Sequence, residues 1–267
     1  MSTYAVLGST GNCGSALIRN LLNQSPQTRV HAYCRNQAKL RKVVPEVIEN
    51  KNVEVFEGSF NDEQLMNRCL RGTKAIFLAV TSNDNVPGIR LNTDTALVVV
   101  RTLYRLRSEA GTSSYLPPKI ILLSACCFDD HLARNMPGWF RPIMLRAASN
   151  IYLDLQRAED VLRSHDQWIK SVFIKPAGLS PDIARGHHLT FDEEESFVSY
   201  MDLANGMIET ADDEEGRYDG RNVGVVNKVR GKGAMFPGGT PKCIALGLVR
   251  HFFPWMHPFL PETGPDK

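Results

Sequence analysis

Three glycines near the N-terminus constrain the fold of this chain more than any other feature. Residues 6–17 read VLGSTGNCGSAL, which places Gly8, Gly11 and Gly14 in the frame G-x-x-G-x-x-G. The apolar segment Tyr4–Leu7 before them is typical of a strand buried on both faces. Apolar residues follow at helical spacing, at Cys13, Leu17 and Leu21. The frame therefore predicts a strand, a tight turn and the start of a helix.

This turn has the chemistry of a dinucleotide-binding site. Gly8 would close the turn, Gly11 would let a pyrophosphate approach the backbone, and Gly14 would let the helix pack close to the strand. The unpaired N–H groups and partial positive charge of a helix N-terminus favour an anion there. Short polar side chains surround this position, at Ser9, Thr10 and Asn12. A glycine-rich turn without a ligand is the alternative, but the strand before it and the helix after it favour the nucleotide.

Composition excludes several other classes of protein. The 267 residues carry 31 basic and 29 acidic side chains with no basic run, which argues against a nucleic-acid partner. No leader precedes the first strand and no apolar run approaches the roughly 18 residues of a membrane helix, so we expect a soluble, cytoplasmic protein. The six cysteines lack C-x-x-C spacing, and the adjacent pair His187-His188 would point to opposite sides of a strand. We therefore expect buried free thiols and no metal.

Strand and helix patterns alternate along the chain. Strands are predicted at 4–7, 29–33, 53–57, 74–80, 119–123, 168–175 and 222–226, and helices after residue 12 and at 38–48, 61–70, 89–107, 149–162, 201–208 and 240–251. Parallel neighbours need right-handed crossovers, which place helices on both faces of a sheet. We predict an α/β fold with a doubly wound parallel sheet, in one domain over 1–267. Residues from roughly 180 to 267 would contribute a small substrate lobe.

The end of the second strand indicates which cofactor is bound. An acidic residue there would grip the ribose hydroxyls of NAD, whereas an arginine accepts the 2′-phosphate of NADP. This chain has Arg35, with Lys39 and Arg41 in the next helix, so we predict NADP(H). An ordinary surface arginine is the alternative. Ala79 and Val80, at the end of the fourth strand, are small enough to let the cofactor ribose approach.

The glycine spacing resembles the G-x-T/S-G-x-x-G turn of extended and atypical short-chain dehydrogenases/reductases, including the NmrA-like group. The resemblance implies an NAD(P)-binding Rossmann domain. It places Ser59 where relatives carry an aspartate beside the adenine. It also places Pro176 and Gly178 in the turn that passes the nicotinamide.

In short-chain dehydrogenases a serine after the fifth strand orients the substrate carbonyl, and a tyrosine and a lysine four residues apart on the next helix move the proton. Ser124 and Tyr152 occupy the first two positions here, and Gln156 occupies the third. A neutral glutamine cannot lower the tyrosine pKa as a lysine does. Proton transfer by Tyr152 is therefore left open, and a structural tyrosine is the alternative. His131 is the reserve acid or base.

The segment between Ser124 and Tyr152 would suit a substrate lid. Aromatic and methionine side chains beside arginines favour a flat phenolic ring system through stacking and cation–π contact. A loop and helix packed on the domain is the alternative. The residues are Phe128, His131, Arg134, Met136, Trp139, Phe140, Arg141, Met144 and Arg146.

Residues 1–8, MSTYAVLG, and residues 150–155, NIYLDL, followed by Ala158-Glu159, resemble the averufin oxidase-like family of fungal atypical short-chain dehydrogenases. The resemblance implies an NADPH-dependent oxidoreductase acting on a ketone or quinone of an aromatic polyketide, of the hydroxyanthraquinone or xanthone type. Ser124 and Tyr152 would hold the oxygen, and Tyr152, His131 or water would supply the proton. A non-redox isomerase, dehydratase or cyclase, and a dinucleotide sensor without turnover, are the alternatives.

Two later features complete the expectations. Lys175, at the end of a strand, is expected at the surface more than beside the nicotinamide ring. The tail 252–260 contains two prolines and is expected to be non-helical. Packing on its own domain is favoured for this tail; closing the pocket, contacting a partner subunit in a homodimer, or touching a membrane are the alternatives.

Overall fold

The computed structural model describes residues 2–47, 50–111, 115–229 and 234–263. The strands are β1 Thr3–Leu7, β2 Arg29–Cys34, β3 Val53–Glu57, β4 Ala75–Leu78, β5 Lys119–Leu123, β6 Ser171–Ile174, β7 Leu179–Ser180, β8 His187–Thr190, β9 Val198–Ser199 and β10 Asn222–Asn227. The helices are α1 Asn12–Gln24, α2 Gln37–Val43, α3 Glu63–Leu70, α4 Leu91–Ala110, α5 Phe140–Ala147, α6 Ser149–Arg163, α7 Tyr200–Asp212 and α8 Thr240–Phe252. Short 3-10 helices lie at Pro45–Val47, Leu132–Asn135 and Pro254–Phe259.

Eight strands form one twisted sheet in the order β3-β2-β1-β4-β5-β6-β10-β8. All neighbours in this sheet are parallel except β10 and β8, which pair antiparallel at one edge. The chain moves outward from β1 to β3 and then returns to β4 on the other side of β1. The predicted doubly wound α/β fold is therefore confirmed, and its direction reverses between β1 and β4.

Alternating side chains of the strands supply two cores, one on each face of the sheet. Tyr4 and Val6 of β1 lie in the core that packs against α1 and α7. Ala5 and Leu7 lie in the opposite core, which packs against α3, α4 and α6. Because both faces are covered, the central strands are apolar at successive positions, as the sequence pattern predicts.

Several element boundaries differ from the predicted ones. The helix predicted over 38–48 ends at Val43, because Pro45 disfavours helical backbone at Val44 and cannot donate to the helix; a 3-10 turn follows, and Ile48 lies outside the described residues. The helix predicted over 61–70 begins at Glu63. Its N-cap is Asp62, whose side chain accepts the Leu65 N–H. The fourth strand ends at Leu78 rather than at residue 80.

The tail was predicted to be non-helical, and part of that prediction is wrong. Residues Pro254–Phe259 form a 3-10 helix with Pro258 inside it. A 3-10 helix this short tolerates prolines because few of its N–H groups have a helical partner. Prolines exclude a continued α-helix here but not this tighter one.

Asp154 of α6 joins two helices from inside the protein. Its carboxylate is fully buried and accepts hydrogen bonds from the backbone N–H groups of Asn92 and Thr93, at 2.8 and 3.0 Å. The Asn92 amide and the Thr93 hydroxyl donate to it as well. The carboxylate thereby satisfies the first turn of α4, whose own N-cap makes no side-chain bond.

Replacing Asp154 with alanine should lower the free energy of unfolding by about 3 kcal/mol, because buried donors at the start of α4 lose their acceptor. Urea denaturation measures the change. Asp160→Ala, at an exposed position of the same helix, is the control and should cost less than about 0.5 kcal/mol. Equal losses in both variants would contradict the capping role.

Candidate active site

A cleft of about 910 Å³ opens at the carboxyl ends of the parallel strands, where the winding of the sheet reverses. Ligands of open α/β sheets bind at this position because the crossover helices diverge there. We call it the main cleft. Its lining includes Gly8, Thr10, Gly11, Asn12, Cys13, Tyr33, Arg35, Lys39, Phe60, Ala79, Val80, Asp84, Leu91, Ser124, Ala125, Ile151, Tyr152, Leu155, Pro176, Ala177, Leu179, Tyr200, His257 and Glu262.

The glycine turn forms one wall of the main cleft. Gly8 has φ of +98°, and a Cβ there would lie 2.4 Å from the carbonyl oxygen of Ala79. A Cβ on Gly14 would lie 2.2 Å from the carbonyl oxygen of Gly8. Only glycine permits this turn and this approach of α1 to β1. Gly14 therefore supports the turn from behind and does not line the cleft.

The first turn of α1 offers backbone donors to the main cleft. The first intrahelical bond of α1 runs from the Ser15 N–H to the Gly11 carbonyl, at 2.9 Å. The N–H groups of the two preceding cleft-lining residues, Asn12 and Cys13, come before it and have no helical acceptor. With the helix dipole behind them, they suit a pyrophosphate. Ser9 turns inward instead, since its buried hydroxyl donates to the Val6 carbonyl at 2.8 Å.

The second wall lies at the end of β2. Arg35 and Lys39 both line the cleft there, as the predicted 2′-phosphate site requires. The Phe60 ring packs 4.4 Å from the ring of Tyr33 and presents an apolar surface beside them. Ser59, predicted near the adenine, is exposed and outside the cleft, where its hydroxyl accepts the Asn61 N–H at 3.1 Å. Phe60, one residue further on, lines the main cleft instead.

Ala79 and Val80 follow directly after β4. They line the main cleft together with Ser124, Tyr152 and Pro176. The structure thus brings Ser124 and Tyr152 to the same cavity as the glycine turn. The Ser124 hydroxyl is already engaged, because it donates to Glu159 Oε1 at 2.5 Å.

Tyr152 is a neutral phenol in this environment. Burial raises its pKa well above the usual value, and the neighbouring Cys127 raises it further. Gln156, one turn away, is exposed and lines a different cavity, so no cation replaces the absent lysine from that position. Tyr152 is hydrogen-bonded to Cys127, and it is therefore held as a neutral phenol in the wall of the cleft and is not activated as a phenolate base.

Two further predicted residues lie outside the main cleft. Gly178 packs beneath Phe197, where a Cβ would lie 2.5 Å from the ring, and its N–H donates to the Ser196 hydroxyl. His131 has a largely exposed side chain that lies 3.2 Å from Asp192. Of the two residues predicted in the proline turn, Pro176 lines the main cleft and Gly178 does not; the neighbouring Ala177 and Leu179 line it as well.

The segment predicted as a lid packs mainly on the domain. Met136, Phe140 and Met144 gather around Cys127 in a small apolar cluster beside Tyr152. None of the nine predicted lid residues lines the main cleft. Met136, Phe140 and Met144 belong to the cluster that buries Tyr152, and this burial is the main cause of its raised pKa.

A second cavity of about 560 Å³ lies behind Ser124, and we call it the outer pocket. It is lined by Phe128, Asp129, Asp130, His131, Gln156, Glu159, Asp160, Arg163, Lys175, Gly220 and Asn222. Lys175 was expected at the surface, and that expectation is wrong: its side chain is 2% exposed and its Nζ lies 2.8 Å from Glu159 Oε1. The Phe128 ring lies under the ammonium at 4.1 Å.

The C-terminal tail covers the far end of the main cleft. Arg250 is buried and pairs with Asp84 at 3.0 Å, while its other nitrogens reach His257 and the Pro261 carbonyl. The Thr263 hydroxyl also donates to Asp84, at 2.7 Å. These bonds hold His257 and Glu262 against the cleft. Packing on its own domain was favoured for the tail, but its aromatic side chains are at least half exposed, at Phe252, Phe253, Trp255 and Phe259.

Other expectations concern features that are absent. Within the described residues, no three His, Cys, Asp or Glu side chains are grouped to hold a metal ion. Across the same ranges, no helix combines the length and apolar character needed to cross a bilayer. All six cysteines are free, and five of them are buried.

Comparison with known proteins agrees with this geometry. A family model described as NAD(P)H-binding matches residues 8–214. An oxidoreductase of Pestalotiopsis microspora is 56% identical over 265 residues, covering 99% of this chain and 100% of the relative. Oxidoreductases of a Cryptosporiopsis species and of Paecilomyces divaricatus are 61% identical over 232 residues and 52% over 267. They cover 87% and 99% of this chain, and 97% and 100% of their own lengths.

Solved structures share the fold. A short-chain dehydrogenase/reductase of Veillonella parvula superposes with a TM-score of 0.65 at 17% identity, over 85% of this chain and 94% of its own. A wide-type enzyme of the same organism, in complex with NADP, superposes with a TM-score of 0.61 at 17% identity, over 89% and 99%. At such identities the likeness is one of architecture.

The raised pKa of Tyr152 leads to a spectroscopic prediction. Ultraviolet titration of the folded protein and of Tyr152→Phe should give the same number of ionised phenols through the range around pH 10 where free tyrosines ionise. The reason is that burial keeps this phenol protonated. One more ionised phenol in the wild-type protein than in the variant over that range would contradict the raised pKa of Tyr152.

Proposed function

Because this chain belongs to the NAD(P)H-binding family of Rossmann-fold oxidoreductases, we propose that it is an NADPH-dependent enzyme of the short-chain dehydrogenase/reductase type. We propose as its substrate a ketone or quinone of an aromatic polyketide, of the hydroxyanthraquinone or xanthone class. The observation that carries the proposal is a single cavity that joins the glycine turn and Arg35 to Ser124 and Tyr152. NADPH, when bound, would supply the hydride.

The preference for NADPH is supported by charge at the β2 end of the main cleft. Arg35 and Lys39 line it, and a guanidinium binds a phosphate through charge-assisted hydrogen bonds. The nearby carboxylate of Glu57 already accepts the Gln37 N–H at 2.9 Å. The ribose 2′ position therefore meets basic groups, which favours the phosphorylated cofactor.

The substrate class is supported by the far half of the main cleft. Side chains there are largely apolar, at Leu91, Ile151, Leu155, Ala177 and Leu179. His257 and Glu262 add polar groups to the lining, whereas Tyr200 lies at the glycine turn, where its hydroxyl is hydrogen-bonded to Asn12. A flat ring system with peripheral hydroxyls matches this combination of dispersion contacts and hydrogen-bonding groups. The resemblance to averufin oxidase-like proteins, and the name oxidoreductase borne by the fungal relatives, point the same way.

A non-redox reaction is the second candidate, and one observation favours it. Gln156 is exposed and uncharged at the position of the usual lysine, and Tyr152 is held as a neutral phenol. Ser124 and Tyr152 could then position an oxygen for an isomerisation, dehydration or cyclisation. A dinucleotide sensor would bind NADPH in the same cavity without turnover.

We further propose a cytoplasmic location. A homodimer is also proposed, and sedimentation of the purified protein tests it.

The redox proposal predicts consumption of NADPH when a dihydroxyanthraquinone or a hydroxyxanthone is added to the purified protein. Absorbance of the reduced nicotinamide should fall in proportion to the product formed, with an aliphatic ketone as the inactive control. Incorporation of solvent deuterium into the aromatic compound without loss of NADPH would replace this proposal with the non-redox reaction. Tight NADPH binding with neither change would identify a sensor.

Cofactor preference gives a prediction that needs no substrate. Calorimetry should show NADPH binding at least about tenfold more tightly than NADH, and Arg35→Ala should lose that preference, a change of about 1.4 kcal/mol. Arg41→Ala is the matched control, because Arg41 is exposed on α2, the helix that follows Arg35, and does not line the main cleft. Equal affinities in the wild-type protein would contradict the assignment of the 2′-phosphate site.

A further inference from the structure

We propose that Ser124, Glu159 and Lys175 form a proton route between the main cleft and the outer pocket, in place of the usual tyrosine–lysine pair, whose lysine position holds Gln156 here. This inference rests on the proposed reduction of a ketone or quinone. Ser124 lines the main cleft, whereas Glu159 and Lys175 line the outer pocket. The hydrogen bond from the Ser124 hydroxyl to Glu159 Oε1, at 2.5 Å, therefore crosses the wall between the two cavities.

The sheet brings these three residues together. Ser124 follows β5 and Lys175 follows β6, and the two strands are neighbours, with the Ser124 N–H donating to the Ile174 carbonyl at 2.7 Å. Glu159 reaches the same point from α6. Its Oε1 accepts from Ser124 and lies 2.8 Å from the Lys175 ammonium, so one oxygen contacts both neighbours.

Charged groups continue from Lys175 towards solvent. Asp129 Oδ2 lies 3.8 Å from the ammonium and also accepts the Asn222 amide, at 2.7 Å. Arg163 lies 3.6 Å from the second oxygen of Glu159. Asp130, His131 and Asp160 line the rest of the outer pocket, and the first two are largely exposed. Water in this pocket therefore has access to the chain of groups.

Stability alone does not account for this arrangement. Desolvating a lysine and a glutamate costs about as much as their attraction returns, so an apolar pair of similar volume would serve the fold as well. The lysine is 2% exposed and the glutamate side chain 9%. The buried Lys175–Glu159 pair contacts Ser124, which lines the main cleft. Transfer of a proton from the pair to Ser124 explains the arrangement.

Hydride adds to the carbonyl carbon of the substrate, and the C=O π electrons move to the oxygen as an alkoxide. The Ser124 hydroxyl turns from Glu159, to which it donates at rest, and gives its proton to that alkoxide, which leaves the Ser124 oxygen negatively charged. The Lys175 ammonium gives a proton to the Glu159 carboxylate, and Glu159 passes it to the Ser124 oxygen, so that Glu159 ends as a carboxylate and Lys175 as a neutral amine. Water in the outer pocket then reprotonates the Lys175 amine. The net change is one hydride and one solvent proton added to the carbonyl.

Tyr152 has a different part in this arrangement. As a neutral phenol hydrogen-bonded to Cys127, it lines the main cleft with Ser124 and forms part of the wall against which the substrate carbonyl lies. Ser124 is then the catalytic residue, while Glu159 and Lys175 act through it as positioning residues.

The test compares Ser124→Ala, Glu159→Gln and Lys175→Ala with the control Asp160→Asn, which lines the same pocket but is exposed and outside the route. Cofactor-free protein is first titrated with a dihydroxyanthraquinone. Glu159→Gln and Lys175→Ala should bind it as the wild type does, and Ser124→Ala should bind it more weakly. With NADPH present, kcat should fall about 100-fold in all three variants and KM should change little in the two positioning variants.

Chemical rescue separates a proton route from a structural role. Methylammonium should restore part of kcat to Lys175→Ala, because the amine can enter the outer pocket, and it should not restore Glu159→Gln. The wild-type solvent isotope effect on kcat should reflect more than one moving proton and should change in both variants. If Lys175→Ala fails to fold, the double variant Glu159→Gln with Lys175→Met removes both charges together and replaces it in the comparison.

The outcomes distinguish the two proposals. Loss of kcat with rescue by the amine supports the route. Wild-type turnover that survives Glu159→Gln and Lys175→Ala, with an unchanged isotope effect, overturns the route and leaves the oxidoreductase proposal standing. No reduction of any ketone or quinone by the wild type overturns the proposed function and the route with it.

Discussion

The close approach of α1 to the end of β1 is the constraint on which the rest of the structure depends. A Cβ on Gly14 would lie 2.2 Å from the Gly8 carbonyl, and one on Gly8 would lie 2.4 Å from the Ala79 carbonyl. With both side chains absent, the helix N-terminus meets the ends of β1 and β4 at the reversal of the sheet. The main cleft, its backbone donors and its central residues all follow from that contact.

Short-range sequence patterns predicted much of the fold and part of the candidate site. The periodicities predicted the sheet and its helices, and motif spacing placed Gly8, Arg35 and Ser124 in one cavity. Glu159 and Lys175 were missed because their roles depend on partners distant in sequence: Ser124 is 35 residues from Glu159. A strand-end lysine is commonly exposed, so local sequence favours the surface. Its burial arises only when β5, β6 and α6 meet.

Two different environments lie on either side of Ser124. Towards the main cleft, apolar side chains and a neutral Tyr152 suit an aromatic carbonyl compound. Towards the outer pocket, an ion pair and exposed charged groups connect with solvent. Under the proposed route, this division would keep water from the reacting carbonyl while protons reach Ser124 from the outer pocket. It also explains how a site without the usual lysine could still complete a reduction.

The most direct test of the cofactor site is a crystal structure of the protein with NADP⁺. The pyrophosphate should lie at the N–H groups of Asn12 and Cys13, the 2′-phosphate beside Arg35, and the nicotinamide between Ser124 and Pro176. A nucleotide bound elsewhere, or one whose nicotinamide points away from Ser124, would contradict the main cleft as the place of hydride transfer.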